Sequence, residues 1–272
     1  FQTIVWTKST KPKERSTMKT SQLTPTTYPA GEITHPNTTC TSLHLDQATP
    51  QAILTLLQTA AQQEHKIHAI IPYFPNARAD KPGNYDIKPI AKIIATGNFN
   101  KVTILDPHSP TSHEIIHNEL AKKGIPLAVK TTLDTIQNTP TINMDNYTAI
   151  IAPDKGAHTR AQLIAHHYNL PLIQAHKQRN QQTGKITHYT FPKTNTPLDN
   201  VLVVDDICDG GATFNILRQS LPHNADLYIS HPVFSGNAEQ NLQGYTNIYT
   251  TDSLATHTNI KRAHITPIKN IV

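Results

Sequence analysis

The run Val201-Leu202-Val203-Val204-Asp205-Asp206-Ile207-Cys208-Asp209-Gly210-Gly211-Ala212-Thr213-Phe214 carries the densest chemistry in the sequence. A strand-like apolar stretch delivers two adjacent carboxylates, then a third, then two glycines and a threonine at a helix start. Glycines let backbone N–H groups turn inward and a helix N-terminus adds positive potential, so the segment Gly210-Gly211-Ala212-Thr213 can cradle a phosphate. Asp205, Asp206 and Asp209 stand beside it, placed to accept hydrogen bonds from vicinal sugar hydroxyls. The plainer reading is a helix cap followed by a tight turn. Three acids gathered at a strand end repel one another unless cations or hydroxyls join them, which favours a functional role. Cys208 lies in the same loop without a paired histidine, so it reads as a small packing residue rather than a nucleophile. Among 16 histidines, His113/His117 and His166/His167 raise transition-metal ligation. With no third ligand, a solvated face describes them better.

Such groups need a scaffold that gathers strand ends, and the hydrophobic pattern supplies one. Thr49 and Pro50 open a helix as cap and first-turn residue, with Ile53, Leu54, Leu57, Ala60 and Ala61 on one face. Residues 67–71 read as a short apolar strand, 87–96 as a helix stopped by Gly97, and 102–105 as the next strand. A helix over 111–123 ended by Gly124 and a strand over 125–129 follow. After a polar stretch at 131–147 the alternation restarts: strand 148–152, helix 157–168, strand 172–175. Residues 178–185 have few apolar anchors and read as a mobile loop; 185–191 reads as a hairpin arm, 201–205 as the clearest buried strand, then helix 212–220 and strand 227–231. Continuous apolar strands alternating with helices imply an α/β chain of mainly parallel sheets flanked by helices. The expected division is an N-terminal domain over 1–130 and a C-terminal domain over 131–272.

Composition excludes several classes. The 272 residues carry 24 Lys+Arg against 19 Asp+Glu, a net charge of +5, with 37% apolar and 16% charged residues. No apolar run approaches the roughly 20 residues needed to span a bilayer. Residues 1–6 are too short for a secretory core segment, and two cysteines make no disulfide framework. A cytoplasmic globular protein without membrane or nucleic-acid partners is the expectation. Lys8, Lys11, Lys13, Arg15 and Lys19 form a basic arm of the kind that binds nucleic acid, though a solvated or subunit-contact segment is the plainer reading.

The segment Asp205-Asp206-Ile207-Cys208-Asp209-Gly210-Gly211-Ala212-Thr213 resembles the ribose-phosphate loop of type I phosphoribosyltransferases. Within that superfamily the chain is most similar to ribose-phosphate pyrophosphokinases, the phosphoribosyl pyrophosphate synthetases. Ile71-Pro72-Tyr73-Phe74-Pro75-Asn76-Ala77-Arg78-Ala79-Asp80 resembles that family's ATP loop. Asp106-Pro107-His108 resembles its Asp-Leu-His segment, and Ala152-Pro153-Asp154-Lys155-Gly156 its Pro-Asp-x-Gly loop. His231-Pro232-Val233-Phe234-Ser235-Gly236-Asn237-Ala238 resembles a C-terminal signature. The blocks occur in family order over about residues 28–240.

The resemblance implies two phosphoribosyltransferase-like domains and transfer of the diphosphoryl group of ATP to the anomeric hydroxyl of ribose 5-phosphate, releasing AMP. It implies Mg²⁺, with His108 and Asp154 at the metal–triphosphate site. Asp205, Asp206, Asp209 and the loop Gly210, Gly211, Ala212 and Thr213 would face the sugar phosphate. Arg78 would grip the ATP phosphates, Asp80 would shape that loop, and Lys177 and Arg179 would stabilise transition-state charge from a flexible loop. Tyr28 and Glu32, in Tyr28-Pro29-Ala30-Gly31-Glu32, correspond to a family block that reaches the adenine of a neighbouring subunit's ATP; a homodimer or larger assembly is therefore implied. The chain departs from the family where Gly210 replaces a threonine, where Ala79 and Lys81 replace other residues of the ATP loop, and in ending about one helix early. A 5-phosphate loop lacking that hydroxyl suits a ribose whose phosphate is further esterified, such as the terminal ribose of ADP-ribose in NAD salvage. A phosphoribosyltransferase and a non-catalytic regulatory subunit are the further alternatives.

Overall fold

The computed structural model describes residues 20–22, 26–27, 33–34, 40–45, 47–183, 186–193, 198–221, 224–254 and 260–272. The basic arm at 8–19 and the Tyr28 and Glu32 assignments lie outside the described residues.

Two all-parallel sheets organise the chain. The first runs in the order Thr20–Gln22, Ser42–His44, Ile67–Ile71, Phe99–Leu105, Leu127–Lys130. Its helices are Pro50–Ala61, Ile87–Ile94 and Pro110–Ala121. Thr49 caps the first, its side chain accepting from Ala52 N at 3.2 Å, with Pro50 in the opening turn. The buried stripe of that helix is Ala52, Ile53, Leu56 and Ala60. Thr55 and Thr59 are buried too, their hydroxyls donating to the Gln51 and Thr55 carbonyls at 2.9 and 2.8 Å, which removes the cost of hiding them. Leu54, expected on the buried face, is exposed. The helix is rotated because its threonines can enter the core once bonded to their own backbone.

The second sheet runs Ala263–Thr266, Ile248–Thr251, Asn224–Pro232, Asn200–Cys208, Ala149–Ala152, Leu172–Gln174. Its two central strands are nine residues each. The strand expected to end at Asp205 continues to Cys208, because pairing with its neighbour persists through Ile207 opposite His231 and Cys208 opposite Pro232. Val201, Leu202, Val203 and Val204 are wholly buried, with helices on both faces; burial of each such side chain contributes about 1.5–3 kcal/mol.

Two segments depart from the sequence expectation. The polar stretch after residue 130 contains the helix Thr132–Gln137, closed by a capping box: Thr131 Oγ1 accepts from Asp134 N at 3.2 Å and Asp134 Oδ2 accepts from Thr131 N at 2.7 Å. The segment read as a loop begins in a strand, His176–Arg179, paired antiparallel with Ile186–Thr190. A short apolar patch joins the sheets, with Ile70 and Leu105 against Ile268 and Ile271. No helix among the described residues is long and apolar enough to cross a membrane.

Candidate active site

In open parallel sheets, ligands collect beyond the carboxyl ends of the strands. The residues singled out from sequence sit there, on both sheets. Arg78 and Asp80 follow Ile67–Ile71, Asp106 and His108 follow Phe99–Leu105, and Asp154 follows Ala149–Ala152. Lys177 follows Leu172–Gln174, while Asp205 and Asp206 close Asn200–Cys208 ahead of the 209–213 loop. A cleft of about 1040 Å³ is lined by Arg78, His108, Asp154, Lys177, Asp205, Asp206 and Asp209 with Gly210, Gly211, Ala212 and Thr213, while Asp80 and Asp106 lie outside its lining.

The two sheets touch here. His108 Nδ1 meets Asp206 Oδ2 at 2.6 Å, an ion pair when the imidazole is protonated. The hydrogen bond from Asp206 lifts His108 above the usual imidazole range despite its burial. Burial by itself would raise the Asp206 carboxyl, but the His108 hydrogen bond and the Arg160 charge outweigh it and hold this acid well below the carboxylate range. Asp205 moves the other way, pushed well up by burial and by the neighbouring Asp206 charge. One acid of the pair is ionised and the other holds its proton more readily.

Arg160 was not legible as a site residue. Its side chain is 9% exposed; Nη1 lies 2.7 Å from Asp106 Oδ1, and Nη2 lies 3.1 Å from the His108 carbonyl oxygen and 3.5 Å from Asp206 Oδ1. Asp106, at φ 37°, also accepts from Ser230 Oγ at 2.5 Å. His231 Nε2 stands 3.2 Å from both the Leu105 and Asp106 carbonyl oxygens. Burial keeps the His231 imidazole below its ordinary pKa, so it serves as a neutral donor at this seam. The available signal for Arg160 was its place one turn beyond the Asp154 loop, at the helix end nearest the strand termini.

Lys177 Nζ contacts Asp154 Oδ2 at 2.7 Å, while Asp154 Oδ1 accepts from Gly156 N at 2.9 Å and Ala157 N at 3.1 Å. Burial pushes the Asp154 carboxyl up, but Lys177 and the two N–H groups overcome it and leave the group low. Lys177 stands opposite Tyr189 in the hairpin; a register shift follows Gln178, and Arg179 is exposed and outside the cleft lining. Arg78 reaches Asp209 at 3.7 Å, a contact between half-exposed groups worth little in energy. Asp80 is buried and accepts from the hydroxyl of Ser109, which also caps Pro110–Ala121.

The glycine loop is built around one constrained position. Gly211 has φ 74° and begins Ala212–Arg218; a Cβ there would sit 3.2–3.3 Å from Asn241 and Leu242. Gly210 has no such constraint, its added Cβ meeting only Ser235 O at 3.8 Å. Asn241 Nδ2 donates to the Gly210 carbonyl at 2.6 Å, and the Ser235 hydroxyl donates to Asp209. Burial pushes the Cys208 thiol up to about 12, which suits packing and not nucleophilic attack. Among the described residues no three His, Cys, Asp or Glu converge as a metal-binding set.

No family model matches the chain. It is 28% identical over 213 residues to the ribose-phosphate pyrophosphokinase of Sulfurisphaera tokodaii, covering 74% of this chain and 70% of that one. The ribose-phosphate pyrophosphokinase of Saccharolobus solfataricus is 30% identical over 152 residues, covering 54% of this chain and 50% of that one. The fold matches the crystal structure of phosphoribosylpyrophosphate synthetase from Mycobacterium smegmatis with a TM-score of 0.71, over 90% of this chain and 86% of that one. At 18% identity, that match speaks for the fold alone.

Proposed function

We propose that this chain, a divergent member of the ribose-phosphate pyrophosphokinase family, transfers the diphosphoryl group of ATP to the anomeric hydroxyl of ribose 5-phosphate, giving phosphoribosyl pyrophosphate and AMP. The observation that carries this reading is the 2.6 Å contact of His108 with Asp206, which joins a nucleotide-side loop to the sugar-side strand in one cleft. In the reaction the anomeric oxygen bonds to the β-phosphorus, the bond from that phosphorus to the α–β bridging oxygen breaks, AMP leaves with that oxygen, and the hydroxyl proton passes to solvent. Such a displacement calls for alignment and charge neutralisation more than covalent catalysis.

The residues divide that work. Asp205 and Asp206 receive the sugar hydroxyls, and the loop from Asp209 to Thr213 receives the 5-phosphate on its backbone N–H groups. Arg78 grips the ATP phosphates. Lys177 exchanges Asp154 for the transferring phosphoryl oxygens, and Arg179 joins it when the hairpin closes. Mg²⁺ suits the ionised Asp154 carboxylate in the cleft, since this ion keeps phosphate and water ligands and needs few from the protein. Asp154 would hold it, joined by His108 once that imidazole gives up its proton, and the ion would supply charge neutralisation on the triphosphate. Tyr28 and Glu32 would contact the adenine of a neighbouring subunit's ATP, in a homodimer or larger assembly.

The open space at Gly210 favours a second acceptor, the terminal ribose of ADP-ribose, whose esterified phosphate needs that room. Incubating the protein with ATP, Mg²⁺ and a panel of ribose 5-phosphates, with mass-spectrometric detection of AMP and the diphosphorylated product, decides the matter. Efficient turnover of ribose 5-phosphate with ADP-ribose untouched removes the second reading. Base-dependent pyrophosphate release without AMP would mark a phosphoribosyltransferase instead, and inertness across the panel a regulatory subunit.

A further inference from the structure

We propose that Arg160 is the positioning residue of the transfer reaction: its guanidinium holds the His108 loop and the Asp206 strand in register across the seam between the two sheets. The inference rests on the functional reading above. Arg160 stands outside the main cleft and lines an adjoining pocket of about 680 Å³ with Asp106 and His108, so toward the cleft it acts through the groups it holds. One nitrogen, Nη2, reaches both sides, 3.1 Å from the His108 carbonyl oxygen and 3.5 Å from Asp206 Oδ1. The His108 side chain returns to Asp206 at 2.6 Å, so three residues close a ring that includes a main-chain oxygen of the nucleotide-side loop. Nη1 fixes the start of that loop through Asp106, which keeps a left-handed φ of 37° and is held from the other sheet by Ser230 as well. Arg160 also belongs to the helix that follows the Asp154 loop. A single guanidinium therefore ties together the segments that carry His108, Asp206 and Asp154.

Stability alone is a poor account of this arrangement. Removing a guanidinium and two carboxylates from water costs energy that their attraction recovers only with complete hydrogen bonding. Arg160 Nε is buried with no hydrogen-bond partner among the described residues, and Nη1, though 2.7 Å from Asp106 Oδ1, meets it as an ion pair outside hydrogen-bond geometry. Planar geometry is the property used: a lysine ammonium on its flexible stem cannot span Asp106, Asp206 and the His108 carbonyl with fixed spacing.

The test is R160K in the full chain, with kinetics for ATP and ribose 5-phosphate and the His108 imidazole resonance recorded at fixed pH. A displacement of about 1 Å at reacting groups lowers turnover about 100-fold, so R160K should lose kcat on that scale while KM values stay within about threefold. The His108 resonance should shift although near-ultraviolet circular dichroism matches the wild type. D106N, which keeps a residue type that tolerates left-handed backbone, is read alongside and should change kcat and the resonance in the same direction. Wild-type kcat in R160K, or a loss confined to KM or thermal stability, overturns the proposal. If the wild type forms no AMP, the functional reading fails, and the resonance then decides the register by itself: an unshifted His108 signal in R160K overturns that too.

Discussion

Replacing Lys177 with alanine isolates the step at which cationic charge meets the transferring group. Lys177 Nζ lies 2.7 Å from Asp154 Oδ2, with the two side chains 22% and 34% exposed. A unit charge 4 Å from a developing phosphoryl charge contributes about 4 kcal/mol at an effective dielectric constant of 20. Partial solvent access and the competing Asp154 carboxylate reduce this to about 2–3 kcal/mol, or about 30- to 150-fold in kcat. Asp154 keeps its hydrogen bonds from Gly156 and Ala157, so its loop should hold its shape in K177A. The loop proposed to receive the sugar phosphate is untouched, and affinity for ribose 5-phosphate should stay within about twofold. Rapid-quench measurement of AMP formation gives the first quantity, and titration calorimetry with ribose 5-phosphate gives the second. Turnover within about twofold of wild type would remove Lys177 from the mechanism; a large loss of sugar affinity would show that the substitution damages the site instead.

Two further results are expected. G211A should lower the melting temperature by about 4–8 °C, since a left-handed φ costs a non-glycine residue about 1–2 kcal/mol and the new Cβ also crowds Asn241 and Leu242; G210A should melt within about 1 °C of wild type, and equal losses in the two would refute this account of the loop. Stability should depend on His108 and His231 with opposite signs: the raised His108 contributes below its unfolded pKa of about 6.5 and loses that contribution as pH rises through its folded value, whereas the depressed His231 contributes above about 6.5 and loses it as pH falls. Thermal melts over pH 5–9, roughly the window in which imidazoles titrate, should show the alkaline loss in wild type and not in H108Q; superimposable profiles would count against the His108–Asp206 pair.

Much of this architecture could be read from the chain because the signals are local. The run Val201-Leu202-Val203-Val204 is apolar without alternation, which only a strand covered on both faces tolerates, and all four residues are fully buried. Thr49 with Pro50 announced a helix for reasons contained within one turn. The departures have non-local causes or lie inside a local rule's tolerance. Hydrophobicity alone puts Leu54 on the inner face, whereas Thr55 and Thr59, bonded to their own backbone, occupy the core instead. His176–Arg179 is polar and becomes a strand through its pairing with Ile186–Thr190. The capping box at Thr131 uses aspartate in place of the longer acid the pattern normally carries. Arg160 was missed because its partners Asp106, His108 and Asp206 come from two other strand ends, a convergence no sequence window contains. His108 itself was found only through its place after a strand and within a motif.

The hairpin that carries Lys177 shares its foundation with the phosphate loop. Tyr189, opposite Lys177, is buried in the same cluster as Phe214 and Leu217, from the helix that begins at the end of that loop. A sugar phosphate that settled the helix on docking would also settle the platform beneath the lysine. Coupling through this cluster would make occupancy of one site and placement of the other linked quantities, and linkage works equally in both directions. An acceptor of the wrong shape, one that leaves the loop unseated, would leave the cation out of place as well. Discrimination between acceptors would then register in turnover as much as in affinity, and ATP would be spared from wasteful hydrolysis until the correct sugar arrives.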